Sequence, residues 1–157
     1  MRRKDREITN MEDILNIVKK CEVIRLALFD KEYPYIVPLN FGYSYEGNDM
    51  YFYFHCAREG KKLDLIGDNP KAGFELDCSH KLITGEVACN YTMEFESVCG
   101  FGTIEQVDKS QKVHALTQIM KQYSTDSSFT FHEKHVEAVS VFKLKVEQIT
   151  GKALKKS

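Results

Sequence analysis

The chain of 157 residues has no tryptophan and only three prolines, and its 22 Lys and Arg against 23 Asp and Glu leave a formal net charge of −1. Without a basic excess, the usual electrostatic footprint of a nucleic-acid binder is missing. No apolar run approaches the roughly 20 residues of a membrane-spanning helix, so no membrane partner is expected. The opening MRRKDREITN is charged but no apolar stretch follows it, so no secretory leader is expected and a cytoplasmic location is. The cysteines are Cys21, Cys56, Cys78, Cys89 and Cys99, odd in number and without a CxxC pair. That disfavours a disulfide framework or structural zinc and predicts reduced, mostly buried thiols. His132-Glu133-Lys134-His135 is not an H-E-x-x-H motif and lacks a third ligand, so no metal is expected. Neither G-x-G-x-x-G nor G-x-x-x-x-G-K-[ST] occurs, which removes the commonest nucleotide cradles. No nucleophile stands beside a base and an orienting group, so a bound cofactor would have to supply any chemistry.

What is present is an ordinary globular composition, 43% hydrophobic and 29% charged. The length predicts a single domain over residues 1–157, with 1–8 and 150–157 as loose ends. Thr9 and Glu12 fit a capping box for a helix ending near Lys20. Cys21 to Phe29 alternates as a strand, and Asp30-Lys31-Glu32 reads as a turn. Tyr33 to Tyr43 and Met50 to His55 read as two strands of a hairpin about Gly47-Asn48. Arg58 to Ile66 suits a short helix capped by Gly67. Lys71 to Cys78 is a further strand, and Ser79 to Ala88 fits either strand or loop.

Asn90 to Val107 is a long strand candidate whose Gly100 and Gly102 predict a bend or a close backbone approach. On it Glu94 and Glu96 share a face and read as a solvated or subunit-facing pair. A helix capped by Asp108 and Gln111 follows, with Val113, Leu116, Met120 and Tyr123 as its buried stripe. Val136 to Ile149 closes the chain as a strand. About six or seven strands without strand–helix alternation disfavour a parallel doubly wound sheet. A mainly β, antiparallel barrel with peripheral helices fits.

The stretch from Tyr33 to Lys62 concentrates the features that suggest a site. Met50 to His55 is almost wholly aromatic and apolar, so it is buried on both faces or covers something flat; Phe52-Tyr53-Phe54 suits core better than a ligand wall. Directly after it, Lys61 and Lys62 open a helix, where free backbone N–H groups and positive charge attract anions. An aromatic wall beside a phosphate anchor suits flavin mononucleotide (FMN).

The runs YIVPLNFGY, YFYFHCAREGKKLDLI and YTMEFESVCGFGTIE, in that order over about Asn10 to Val146, resemble the pyridoxamine 5′-phosphate oxidase-like flavin proteins. Their nearest likeness is to the 5-nitroimidazole-resistance branch. The resemblance implies an FMN-binding split β-barrel, with sites at a homodimer interface. It implies that Val37, Pro38, Leu39 and Asn40 lie along the isoalloxazine ring and that His55, Cys56 and Ala57 line the ring or the ribityl chain. Lys61 and Lys62 would hold the phosphate, with Ser97 and Tyr91 nearby; His55 is the candidate catalytic group. It implies an oxidoreductase that passes electrons from a reduced nicotinamide or flavin donor to a small electrophile, a nitro compound or a quinone. A non-catalytic flavin-binding module, or a split barrel holding haem or a deazaflavin, are the alternatives. The final ITGKALKKS contains no arginine, which disfavours oxidation of pyridoxamine phosphate itself.

Overall fold

The computed structural model describes residues 3–126 and 128–155. Its elements are β1 (Glu7–Ile8), α1 (Met11–Lys20), β2 (Ile24–Leu28), β3 (Tyr35–Leu39), β4 (Gly42–Glu46), β5 (Asp49–Cys56), α2 (Lys61–Asp68), β6 (Lys71–Ile83), β7 (Thr92–Gln106), α3 (Lys112–Tyr123), α4 (Glu133–Ala138) and β8 (Ser140–Leu154). The strands form one antiparallel sheet in the order β3-β2-β6-β7-β8-β5-β4, with β1 added beside β8. The two end strands of this path, β3 and β4, are joined only by Asn40 and Phe41. A link that short spans at most about 11 Å from Leu39 to Gly42. The sheet therefore rolls round on itself until its edges meet, yet β3 pairs with β2 and β4 with β5. The result is an antiparallel split barrel flanked by helices: the strand pattern predicts the antiparallel barrel with its peripheral helices, and the family resemblance implies the split.

The barrel core gathers Leu26, Phe52, Phe54, Phe74, Leu76, Val98 and Leu144 with Ile14, Ile17 and Val18 of α1. A second cluster, Tyr53, Val107, Ala115, Leu116, Ile119 and Val141, seals α3 against the other face of β5. Alternate residues of β5 thus enter different cores. This explains a strand with almost no polar residue, and it assigns Phe52, Tyr53 and Phe54 to packing rather than to a flavin wall. Asn48 and Gly47, at φ 75° and 58°, make the β4–β5 turn.

Several local expectations are corrected. Asn10 caps α1, its Oδ1 accepting from the N–H of Glu12 at 2.9 Å and of Asp13 at 3.2 Å, in place of a Thr9 capping box. Tyr33 to Tyr43 is not one strand, because it breaks where the chain passes between the two edges of the barrel. Gly67 lies inside α2, and Asn69 ends the helix, its N–H donating to Leu65 O at 2.9 Å. A short 3-10 turn, Lys109–Gln111, stands between Asp108 and α3.

The α3 stripe is turned from Val113, Met120 and Tyr123, which are 49%, 39% and 42% exposed, to Ala115, Leu116 and Ile119. Gly42 sets that orientation: a Cβ there would lie 2.2 Å from the Gln118 backbone, so only glycine lets α3 sit so close. The segment read as the start of the last strand is helical, because Lys112 Nζ donates to Val136 O at 3.3 Å and Val139 O at 2.7 Å.

The ends are tied down rather than loose as far as they are described. Glu7 pairs with Lys152, Ile8 with Gly151, and β8 runs on to Leu154 beside Phe95. Glu96 is not solvated: it is 4% exposed, and Lys20, Lys155 (2.8 Å) and the Ser79 hydroxyl (2.7 Å) surround its carboxylate. Of the cysteines, Cys89 and Cys99 are exposed in the single chain rather than buried. Among the described residues, no helix is long and apolar enough to cross a membrane.

Candidate functional site

The β4–β5 ladder ends at Gly42 and Tyr53. Extended two residues, its register sets Asn40 level with His55, but Leu39 already belongs to the opposite edge, paired with Ile24. The chain therefore forks at Asn40. One arm runs back along β3 from Leu39 to Tyr35; the other continues through His55, Cys56 and Ala57 into α2.

On the β3 arm, Val37 and Leu39 pack toward the core while Ile36 and Pro38 face outward and are exposed. Among the described residues β3 has one ladder partner, β2. Its other edge presents free backbone N–H and C=O groups to the fork. Pro38 fits this position, since proline has no N–H to give and is confined to edge strands.

On the second arm, His55 and Ala57 are exposed and Cys56 is half-buried. His55 and Cys56 are held from behind by Val141 and Ser140 of β8. Burial pushes the Cys56 thiol up, and the charge of nearby Lys62 opposes the shift. Burial likewise raises Cys21, and at the exposed Cys99 partial desolvation by its neighbours, with the charge of Glu75, raises the thiol too, so none of these thiols is activated as a thiolate.

Gly60 turns the chain into α2 at φ 130°, in the region that favours glycine, and no side chain caps the helix start. Lys61 Nζ lies 2.6 Å from Asp30 Oδ2 and 5.2 Å from the centroid of the Tyr35 ring. The bond to Asp30 raises the Lys61 pKa. Through these contacts the start of α2 is fastened to the turn before β3 and to the first residue of β3 itself. The fork is thereby framed at both ends, by Asn40 and His55 where it opens and by Lys61, Asp30 and Tyr35 where it closes.

Seven of the expected site residues, Val37, Pro38, Leu39, Asn40, His55, Cys56 and Ala57, thus line the fork, and Lys61 and Lys62 stand at its end. Ser97 and Tyr91 do not join them within one chain. Ser97 pairs with Asp77 and Lys152, three strand positions away from β3, or about 14 Å across the sheet. Tyr91 lies beyond it at the β6–β7 end and is 49% exposed. Asp30 and Tyr35 were not anticipated: Asp30 reads locally as a turn residue, and nothing near it in the sequence points to Lys61.

The fork is open on its outer side. Cavities of about 670 Å³ (between α1, β4 and α3) and about 360 Å³ (beneath α4) lie elsewhere. The sheet surface beside the fork carries an in-register row of Ile36, Ala27, Gly73 and Phe101. Ile36 is 62% and Phe101 48% exposed, with Phe29 and Tyr33 adding further uncovered apolar area at 61% and 77%.

The family profile described as pyridoxamine 5′-phosphate oxidase matches residues 10–153. The crystal structure of a protein described as a candidate 5-nitroimidazole antibiotic resistance protein of Bacteroides thetaiotaomicron VPI-5482 is 33% identical, with a TM-score of 0.79 over 94% of this chain and 86% of that one. The flavocytochrome Anf3 of Azotobacter vinelandii shares the fold at 18% identity, TM-score 0.80, over 99% of this chain and 72% of its own. So does an FAD-binding protein of Mesorhizobium loti at 23% identity, TM-score 0.65, over 96% and 98%. An uncharacterized protein of Rhizobium meliloti (strain 1021) is 26% identical over 107 residues, 68% of this chain, and the match spans 61% of that relative. With a matching profile over nearly its whole length and a split barrel whose fork carries the VPLN and HCAREGKK segments, the chain belongs to the pyridoxamine 5′-phosphate oxidase family.

Proposed function

We propose that this protein is an FMN-dependent oxidoreductase that reduces a small electrophile, a nitro compound or a quinone, with electrons from a reduced nicotinamide or flavin donor. The observation that carries the reading is the fork itself. An unpaired backbone edge, a histidine and a lysine-bearing helix start meet at the gap in the barrel wall.

The residues fit the group. A planar ring with alternating donors and acceptors finds complementary N–H and C=O groups along the free edge of β3. A phosphate dianion finds the uncapped start of α2 and Lys62. Bound there, FMN supplies the electron transfer. The chain's own part is to seat the ring against Val37, Leu39 and Asn40, with Cys56 and Ala57 leaving room for it. His55 offers a proton or a hydrogen bond to an acceptor beside the ring. The exposed row from Ile36 to Phe101 supports a homodimer in which a second copy covers the fork. Ser97 and Tyr91 reach the flavin only from that second copy. The relatives, among them a candidate nitroimidazole resistance protein, a flavocytochrome and an FAD-binding protein, agree with a redox ligand in this fold.

The test is turnover by FMN-loaded protein given a reduced nicotinamide and a panel of nitroarenes and quinones. Consumption of an acceptor, lost in His55→Ala while flavin is retained, is the expected result. Tight flavin binding with no turnover of any acceptor from any donor would leave a binding module and overturn the enzymatic part.

A further inference from the structure

Although Lys61 and Lys62 are adjacent and open the same helix, their surroundings differ. The Lys61 ammonium sits 2.6 Å from the Asp30 carboxylate, over the Tyr35 ring at 5.2 Å. Any dianion approaching it meets a charge already neutralised and a carboxylate that repels it. Lys62 is half-buried and near enough to Cys56, on the His55–Ala57 arm of the fork, for its charge to act on that thiol. No ion pair engages it among the described residues.

We infer that the two lysines divide the work. Lys62 is the phosphate contact, and Lys61 is a positioning residue that, through Asp30 and Tyr35, holds the start of α2 against β3 and fixes the width of the fork. This rests on the flavin reading for Lys62, whereas the Asp30–Lys61 latch exists without any ligand. The division has a physical motive. α2 is two turns long and, beyond the half-buried Leu63 and Leu65, buries only Ile66. A helix with so small an apolar footing gains orientation from a polar tether at its first residue.

The experiment compares FMN with riboflavin, which lacks the phosphate, by equilibrium titration. Amide hydrogen exchange across residues 61–66 of flavin-free protein is followed alongside. Lys62→Met is expected to weaken FMN at least about tenfold and leave riboflavin unchanged, since a charge-assisted bond is lost. Lys61→Met and Asp30→Asn are expected to speed amide exchange in α2 and to weaken FMN and riboflavin by a common factor, leaving their ratio unchanged.

A fall of that ratio in Lys61→Met, or tighter FMN binding in Asp30→Asn, would overturn the assignment, since either would mean that Lys61 serves the phosphate. Unchanged exchange in both latch variants would overturn the positioning role. Wild-type protein that binds neither flavin would defeat the Lys62 half together with the flavin reading, while the exchange data still decide the latch.

Discussion

Gly102 lies so close to the backbone of Lys145 that a Cβ on it would stand 2.0 Å from the Lys145 carbonyl oxygen. Two residues back, a Cβ on Gly100 would fall 2.1 Å from Gln148 O and 2.5 Å from the Phe74 ring. Between these glycines the β7–β8 register slips: Phe101 faces Gln148 while Gly102 faces Val146, leaving Glu147 as the extra residue. A bulge of this kind bends the sheet and raises its twist, which is what lets β3 and β4 come round to meet.

Gly102→Ala is therefore expected to be destabilising by about 2 kcal/mol, within the range for overpacking against atoms that cannot move aside. The urea midpoint should fall with an unchanged slope. Unaltered stability would mean that the β7–β8 ladder is looser than the close approach implies.

The buried Glu96 makes stability depend on acid. Burial alone would raise its pKa, but the hydrogen bonds from Lys155, Lys20 and Ser79 outweigh that and hold it at about 2, below an ordinary 4.5. A depressed pKa in the folded state gives stability that is present above the unfolded value and lost as pH falls through the folded one. The loss should run from about pH 4.5 down to about 2 and amount to at most about 3 kcal/mol. Glu96→Gln should unfold more easily at pH 7 and show a flatter acid limb; equal acid sensitivity in both proteins would contradict the assignment.

Much of the barrel was legible because it rests on short-range pattern. The aromatic run of β5 reads as doubly buried, Gly47-Asn48 as a hairpin turn, and Gly100 and Gly102 as a close approach. The break at Asn40-Phe41 was not legible, since the strand-like run from Tyr33 to Tyr43 continues through it and the chain is bent there by closure of the sheet. The same holds for α4, which is held by Lys112 and by the Arg58 guanidinium donating to Glu137 O. The pairing of Glu7 with Lys152, the burial of Glu96 and the tie between Asp30 and Lys61 all join residues far apart in the chain, and local composition carries no trace of them. The VPLN and HCAREGKK segments stood out as a candidate site by resemblance; the fork that brings them together appears only once the edges of the sheet are traced.

Tyr123 fastens one end of that fork. Its hydroxyl donates to Glu22 O at 2.7 Å and accepts from the Phe41 N–H at 2.9 Å, bridging the entry to β2 and the link between the two edges. Tyr123→Phe removes both bonds and should cost about 1–2 kcal/mol. It should also speed amide exchange at Phe41 and Gly42. Stability and exchange equal to those of the unaltered protein would show that the bridge is not needed to hold the link.

The outer face of the sheet should mediate self-association. Phe101→Lys places a charge at the β7 end of the row formed with Gly73, Ala27 and Ile36, and it leaves the fold intact because Phe101 is already 48% exposed in the single chain. Light scattering is expected to show a dimer for the unaltered protein and a monomer for the variant, with weaker flavin retention in the monomer. A variant still dimeric would move the interface elsewhere.

The most direct check of the central claim is the visible spectrum of the purified protein after incubation with excess FMN and removal of unbound ligand. The account predicts retained flavin absorbance at one FMN per chain, reduced in Lys62→Met. A colourless protein that releases FMN as freely as buffer, in dimer and monomer alike, would contradict it.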